Sequence, residues 1–383
     1  STRASAHPRQ STRVSSTTPA NPTTSGSQPA SRVEVRASYI PRMRVNTGKL
    51  QVEVAQWTRQ LRRWFHRLTP AVALCTAATC GSPALPVTTI TGAEPGPTVA
   101  FVAGVHGGKV AAVRAVDSLR VLLGGRLTRG RVLLLAPANR AGFDAGLAQL
   151  SPDDSLNLNR VFPGRVDGPP TERLAARILR EVVAPADYLI DMHGSDGDEA
   201  VGSFAYAARP GVDPRVDSSA RALAESWMTP VIVWDEDGPR RLEESRFLQT
   251  AAHLSGVPAI TVFEESRTRE DRLATALFVS GAQRVLIALG MLDAEAMPGA
   301  AAYAPELLSR RAVVTAPSDG EWRPSTSPGV RLEPGEPAGW LRGSSGADSA
   351  VHVPDGGLVL HLRNAGPLRA GTPLVITGIA TAP

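Results

Sequence analysis

Two histidines each stand beside a glycine at the end of an apolar run. His106 lies in Gly104-Val105-His106-Gly107-Gly108-Lys109, after Thr98–Ala103, and His193 lies in Asp191-Met192-His193-Gly194, after Tyr188–Asp191. Imidazoles at two neighbouring strand ends can converge on one metal ion. Zn2+ takes imidazole nitrogen readily, and a catalytic zinc needs three protein ligands plus an open position for water. Asp191, two residues before His193, is placed to hold the other ring nitrogen. The loop Asn157-Leu158-Asn159-Arg160-Val161-Phe162-Pro163-Gly164 supplies Arg160, whose planar fork suits a substrate carboxylate or a polarised carbonyl oxygen. Thr261-Val262-Phe263-Glu264-Glu265 closes a later apolar run, and Glu264 is the candidate base for a metal-bound water. Each residue alone has an ordinary structural reading: a turn histidine, a surface Asn-Arg pair, a solvated Glu-Glu. The chemistry depends on all of them meeting at one edge of one sheet.

The elements that must position them alternate. Apolar runs at Thr98–Ala103, Val132–Ala136, Tyr188–Asp191, Val231–Trp234 and Ala259–Phe263 read as buried strands. Helical patterns at Val110–Leu123, Thr171–Val183, Ser218–Trp227, Glu244–Leu254 and Arg272–Leu292 separate them. This alternation predicts an α/β fold: three layers, a mixed and mostly parallel sheet with helices on both faces. In such sheets, ligands gather where strands end and loops begin. After about residue 300 the texture changes to short apolar stretches between Gly/Pro/Ser turns, which predicts a small C-terminal all-β barrel-sandwich domain. Ala316-Pro317-Ser318-Asp319-Gly320 is echoed by Val353-Pro354-Asp355-Gly356-Gly357, an imperfect internal duplication.

The expected organisation is therefore a basic Ser/Thr/Pro-rich leader at 1–48, disordered by composition, an amphipathic helix and connector at 49–84, a catalytic domain at 85–300 and the β domain at 301–383. The net charge of +5 over 383 residues is misleading. Residues 1–50 carry eight basic groups against Glu34, a net +7, so residues 51–383 sum to −2. The leader can meet polyanions through counterion release, but the folded part shows no sign of specific nucleic-acid binding. No run approaches the roughly 18 apolar residues of a transmembrane helix, and no basic-then-apolar signal opens the chain, so the cytoplasm is the expected compartment. Two cysteines, Cys75 and Cys80, make neither a disulfide scaffold nor a Cys-based zinc site. Only Lys49 and Lys109 are lysines, against 39 arginines, which makes the position of either notable.

These segments resemble the succinylglutamate desuccinylase/aspartoacylase family, a branch of the zinc-carboxypeptidase-like hydrolases. The resemblance rests on the run from Leu85 to Gly107, on Ser151 through Gly164 followed by Gly168 and Thr171-Glu172, on Gly256–Thr261, and on the duplicated β module. The middle segment is closest to members of the N-acetyl-diaminobutyrate deacetylase type. The resemblance implies that His106 and His193 bind Zn2+, that Asn159 and Arg160 bind the substrate's carboxylate or carbonyl, and that a glutamate acts as base. The implied reaction is hydrolysis of the amide bond of a small N-acyl amino acid.

Two positions depart from the family pattern. Where the family has a glutamate as third zinc ligand, three residues after the first histidine, this chain has Lys109. An ammonium repels a divalent cation where a carboxylate would attract it. The family's glutamate base falls at Phe263, with Glu264 one residue late. Strand neighbours point to opposite faces, so Glu264, or Glu265 beyond it, reaches the site only if a bulge shifts the register. Three readings follow. The first is a working hydrolase with a rewired site, in which Asp191, Asp144, Glu265 or a neutral Lys109 completes the ligand set. The second is a metal-free pseudoenzyme that binds a small acidic metabolite through Lys109 and Arg160. The third is an inactivating substitution at position 109 of a hydrolase.

Overall fold

Along β2 (Glu94–Ala103) the buried side chains split by parity. Val99, Phe101 and Ala103 join one hydrophobic core while Ala100 and Val102 join another. A strand buried on both faces must lie inside a sheet with a layer on each side, and the computed structural model of the chain has that architecture. It describes residues 85–266, 268, 271–294 and 303–380. The expected leader 1–48, and the amphipathic segment 49–84 with Cys75 and Cys80, lie outside the described residues.

The main sheet has eight strands in the order β1-β3-β2-β4-β8-β6-β7-β9. Here β1 is Val87–Thr91, β3 Arg129–Leu135, β4 Tyr188–His193, β6 Phe204–Ala208, β7 Val231–Asp235, β8 Ala259–Phe263 and β9 Glu306–Leu308. β3, β2, β4 and β8 run parallel, as do β6, β7 and β9; β1 and the β8–β6 junction are antiparallel. Helices α1 (Val110–Leu123), α4 (Pro214–Trp227) and α6 (Arg272–Ala288) pack on one face. Helices α3 (Pro170–Ile178) and α5 (Leu248–Leu254) pack on the other, and a short α2 (Arg140–Asp144) follows β3.

Local chemistry sets these boundaries. Asp213 caps α4 by accepting from Arg215 N, with Pro214 at the first helical position, and Asp271 caps α6 by accepting from Leu273 N and Ala274 N. Gly281 lets α6 close on α4, since a Cβ there would lie 2.1 Å from the Trp227 ring. Among the described residues, no helix is long and apolar enough to cross a membrane.

The C-terminal module has two antiparallel sheets. One orders β10 (Arg310–Thr315), β17 (Pro373–Ile379), β15 (Gly357–Arg363) and β12 (Arg331–Leu332). The other orders β14 (Asp348–Val353), β13 (Glu336–Arg342), β11 (Gly320–Pro324) and β16 (Gly366–Leu368). Trp322 fills the core between them, and its Nε1 donates to the Arg363 carbonyl at 3.0 Å. The internal duplication has a structural counterpart. Gly371 N donates to Ala316 O, and Gly335 N donates to Val353 O, both at 2.8 Å. The two glycines share a left-handed conformation, φ 81° and 79°.

The strands do not divide at residue 300. β9, beyond that point, extends the main sheet, while β5 (Glu199–Val201), well before it, pairs with β15 of the C-terminal module. Short edge strands carry too little periodicity to reveal this exchange in sequence.

Candidate active site

The turn after β2 makes Gly104 left-handed at φ 72°, and a Cβ there would meet Pro137 and Val113 at 2.9 Å. This sharp turn presents His106. His193 is the last residue of β4, where a parallel sheet opens its carboxyl end. The two imidazoles meet edge to face, with centroids 5.4 Å apart and planes at 86°. Both are buried, at 6% and 3% exposure.

Their partners fix the tautomers. His106 Nε2 donates at 3.0 Å to Asn157 Oδ1, which also accepts from Asn159 N at 2.9 Å. His193 Nε2 donates to Asp191 Oδ2 at 2.9 Å. With Nε2 as the donor in each ring, Nδ1 is the remaining ring nitrogen, and His106 Nδ1 is buried with no partner among the described residues. Burial, then the nearby His193, Lys109 and Arg160, holds His106 well below its ordinary pKa.

Lys109 occupies the N-cap position of α1, with no side-chain capping bond, and is 2% exposed. Its Nζ donates to the Gly194 carbonyl and to Glu199 Oε1 at 3.2 Å, and it pairs with Asp196 Oδ2 at 3.2 Å. Gly108 makes room for this, since a Cβ there would lie 2.7 Å from Asp196 Oδ1. Burial alone would lower the lysine pKa, but the facing Asp196 and Glu199 outweigh it and raise it. The ammonium stays charged, so the neutral, coordinating lysine of the rewired reading does not form. Its charge is also taken up by two carboxylates, so it is not the anion anchor of the pseudoenzyme reading.

Zinc was expected here. Two imidazoles suit a metal, but the third position offers an ammonium in place of a donor, and Asp196 and Glu199 are engaged by it. Among the described residues, no group of three His, Cys, Asp or Glu side chains could hold a metal ion. The donor set does not fit a catalytic zinc.

Glu264 does not face the histidines. β8 runs in register with β4 and β6 without a bulge, pairing Phe263 with His193 and with Phe204. Alternation then turns Phe263 into the cavity and Glu264 to the opposite face, where it accepts from Trp227 Nε1 at 2.7 Å and Ser203 Oγ at 2.8 Å. Phe263 stacks on Phe204 at 4.4 Å and meets His361 at 4.9 Å. Glu265, the other candidate base, is exposed, and its backbone N donates to Ser203 Oγ at 2.9 Å.

Arg160 shares a cavity of about 720 Å³ with His106, Lys109 and His193. Its Nη1 donates to its neighbour's carbonyl, Asn159 O, at 2.7 Å, and its guanidinium lies 4.9 Å from the Phe247 ring centroid. No carboxylate pairs with it among the described residues. Burial and the neighbouring Arg311 and Arg246 lower its pKa, so it sits in a field of like charge. Asn159 caps α5, its Oδ1 accepting from Leu248 N at 2.9 Å, which leaves the amide NH2 as the donor it can offer.

The C-terminal module also lines this cavity, through Arg311, Arg363 and Ile376. Arg311 lies over Tyr206 at 3.9 Å, and the Tyr206 hydroxyl donates to Asp235 at 2.9 Å. A second groove of about 930 Å³ beside α1 and α2 contains no histidine, and its carboxylate, Asp117, is paired with Arg120. Sequence reasoning missed Asn157, Asp196, Glu199, Arg311 and His361. The acidic run Asp196-Gly197-Asp198-Glu199, close behind His193, was the readable signal for two of them.

Residues 95–263 match the succinylglutamate desuccinylase/aspartoacylase catalytic domain. A stretch of 143 residues is 33% identical to N-alpha-acetyl-L-2,4-diaminobutyric acid deacetylase of Halomonas elongata, covering 37% of this chain and only 40% of that relative. The fold matches a succinylglutamate desuccinylase/aspartoacylase from Rhodobacter sphaeroides at TM-score 0.66 and 21% identity, over 77% of this chain and 89% of that one. A product-bound ectoine utilization protein from Ruegeria pomeroyi matches at TM-score 0.66 and 22% identity, over the same shares of 77% and 89%. The likeness to the succinylglutamate desuccinylase/aspartoacylase catalytic domain thus spans residues 95–263, the stretch that carries His106, Arg160 and His193.

Proposed function

We propose that this chain recognises a small N-acyl amino acid in the His106–His193 cavity, with the ligand's carboxylate on Arg160. One observation carries the reading: Arg160 lies in the same cavity as two oriented imidazoles and has no carboxylate partner among the described residues. A guanidinium so placed is a fork waiting for a planar anion. Asn159 supplies an amide donor beside it. The Nδ1 lone pair of His106, buried without a partner, accepts the ligand's amide N–H. Phe263 and Phe247 form apolar wall for the acyl group.

Recognition is better supported than hydrolysis. A water nucleophile needs a base in the cavity. Asp196 and Glu199 are held by Lys109, Asp198 is paired with Arg363 at 2.8 Å, and Glu264 lies on the other face of β8. Amide hydrolysis is the second reading. It is favoured by the His193–Asp191 pair and by the deacetylase name of the Halomonas relative.

Thermal melting with a panel of N-acetyl and N-succinyl amino acids, alongside an assay for released carboxylic acid, tests both readings. Recognition predicts a Tm rise with at least one N-acyl amino acid, none with its carboxamide, and no acid released. Acid release that is abolished by His193→Ala would establish the hydrolase instead.

A further inference from the structure

Lys109 is the one lysine in the chain beyond residue 49, and the fold spends it on a buried site. Its ammonium faces three oxygens, the Gly194 carbonyl, Asp196 Oδ2 and Glu199 Oε1. All three belong to one short segment, 194–199. An ammonium has three donors on a compact head and no acceptor, so this partner set uses it fully. A guanidinium would bring a flat five-donor fork that three converging oxygens do not fit. The exclusion of arginine here, in a chain with 39 of them, has a geometric reason.

The same segment is gripped from its other side by the C-terminal module. His361 Nδ1 lies 3.4 Å from Glu199 Oε2, and Arg363 pairs with Asp198 at 2.8 Å. Asn364 adds two bonds, its N to Asp198 O at 2.9 Å and its Nδ2 to Gly197 O at 3.2 Å. Strand β5 then continues the pairing, with Arg363 opposite Glu199 and His361 opposite Val201. The segment is thus clamped between the first turn of α1 and strand β15.

A buried carboxylate, Asp196, and a half-buried one, Glu199, that converge on one point require a cation between them. A divalent metal could serve, and so could an ammonium. We propose that the Lys109 ammonium is the resident cation of this cavity, neutralising Asp196 and Glu199 and locking segment 194–199 onto the C-terminal module, so that the site holds its shape without a metal. Because the cation is part of the chain, neither zinc nor a chelator changes the folded state. This goes beyond the ligand reading and does not rest on it: the clamp stands whichever small molecule fills the cavity.

The test uses the full chain. Metal content after zinc loading, and Tm with zinc and with EDTA, are measured for wild type and for Lys109→Ala. The wild type is expected to hold no stoichiometric zinc and to melt at one temperature in all conditions. Lys109→Ala leaves the buried Asp196 without its cation and Glu199 with His361 alone, and its Tm should fall by roughly 10 °C. It should also become responsive to cations, regaining Tm with zinc or with propylammonium, which can refill the vacated space. Stoichiometric zinc on the wild type would overturn the proposal. So would a Lys109→Ala variant that melts at the wild-type temperature, or one that is destabilised but deaf to both cations. If Lys109→Ala does not fold, a mutant cycle with Glu199→Gln and Lys109→Met decides the matter. The clamp predicts that Lys109→Met costs less Tm in the background of Glu199→Gln than alone, and additive losses would contradict it.

Discussion

The indole of Trp227 donates a 2.7 Å hydrogen bond to the carboxylate of Glu264, on the face of β8 turned away from His193. A glutamate that spacing alone offers as a base is thereby part of the α4–β8 packing. The buried carboxylate has its pKa raised, first by burial and against the bonds from Trp227 and Ser203.

Glu264→Gln should leave ligand binding and any amide hydrolysis unchanged, because the side chain never reaches the cavity. It should also change the pH profile of stability. A carboxyl with a raised folded pKa holds its proton longer in the native state. Stability therefore falls as pH rises from the unfolded value toward the folded one. Removing the titration flattens that slope, and denaturant melts between pH 4 and 7, a window drawn around an ordinary glutamate pKa of about 4.3, would show it. A collapse of binding or activity in this variant would place Glu264 in the site after all.

Phe263 closes the cavity where a carboxylate was expected. It stacks on Phe204 with centroids 4.4 Å apart and planes at 13°. Phe263→Ala should cost about 3 kcal/mol of folding stability, the low end for a buried aromatic because the residue borders a cavity. Chemical denaturation checks this, and a loss under about 1 kcal/mol would mean that the stack contributes little.

His253 and Asp217 form a buried pair away from the cavity, with Nε2 2.7 Å from Oδ1. Burial lowers the histidine pKa despite the carboxylate. A base with a depressed folded pKa binds protons more readily when unfolded, so this pair's contribution is lost as pH falls through about 6.5. His253→Gln should blunt the loss of stability between pH 7 and 5, a range centred near the unperturbed histidine value. An unchanged acid limb would show that His253 does not set it.

Much of the fold was legible because parity and helical spacing are strong in buried elements. Val110–Leu123 is a helix with the bounds its pattern predicted, and Ala259–Phe263 is a strand with its predicted bounds. The antiparallel insertion of β6 beside β8 and the exchange of β5 and β9 were not legible, because pairing partners leave no local trace. In the site, His106 and His193 stand after strands whose apolar runs are readable, whereas Arg160 reaches the same cavity from the short turn Leu158–Arg160. The fate of Lys109 was not legible, since its partners lie 85 to 90 positions away. For Glu264 the strict alternation of strand residues was the better guide, and the bulge needed to rescue it is absent from β8 pairing.

The proposed contact between Arg160 and the ligand's carboxylate is read directly by titration calorimetry. An N-acyl amino acid that raises the Tm of the wild type is titrated into wild type and Arg160→Met, in parallel with its carboxamide. A charge-assisted bond removed from a buried ligand is worth roughly 1.5–3 kcal/mol, about ten- to a hundredfold in Kd. The account predicts that loss in Arg160→Met, and near-equal, weak binding of the carboxamide to both proteins. Equal affinity of the acid for wild type and Arg160→Met would contradict it.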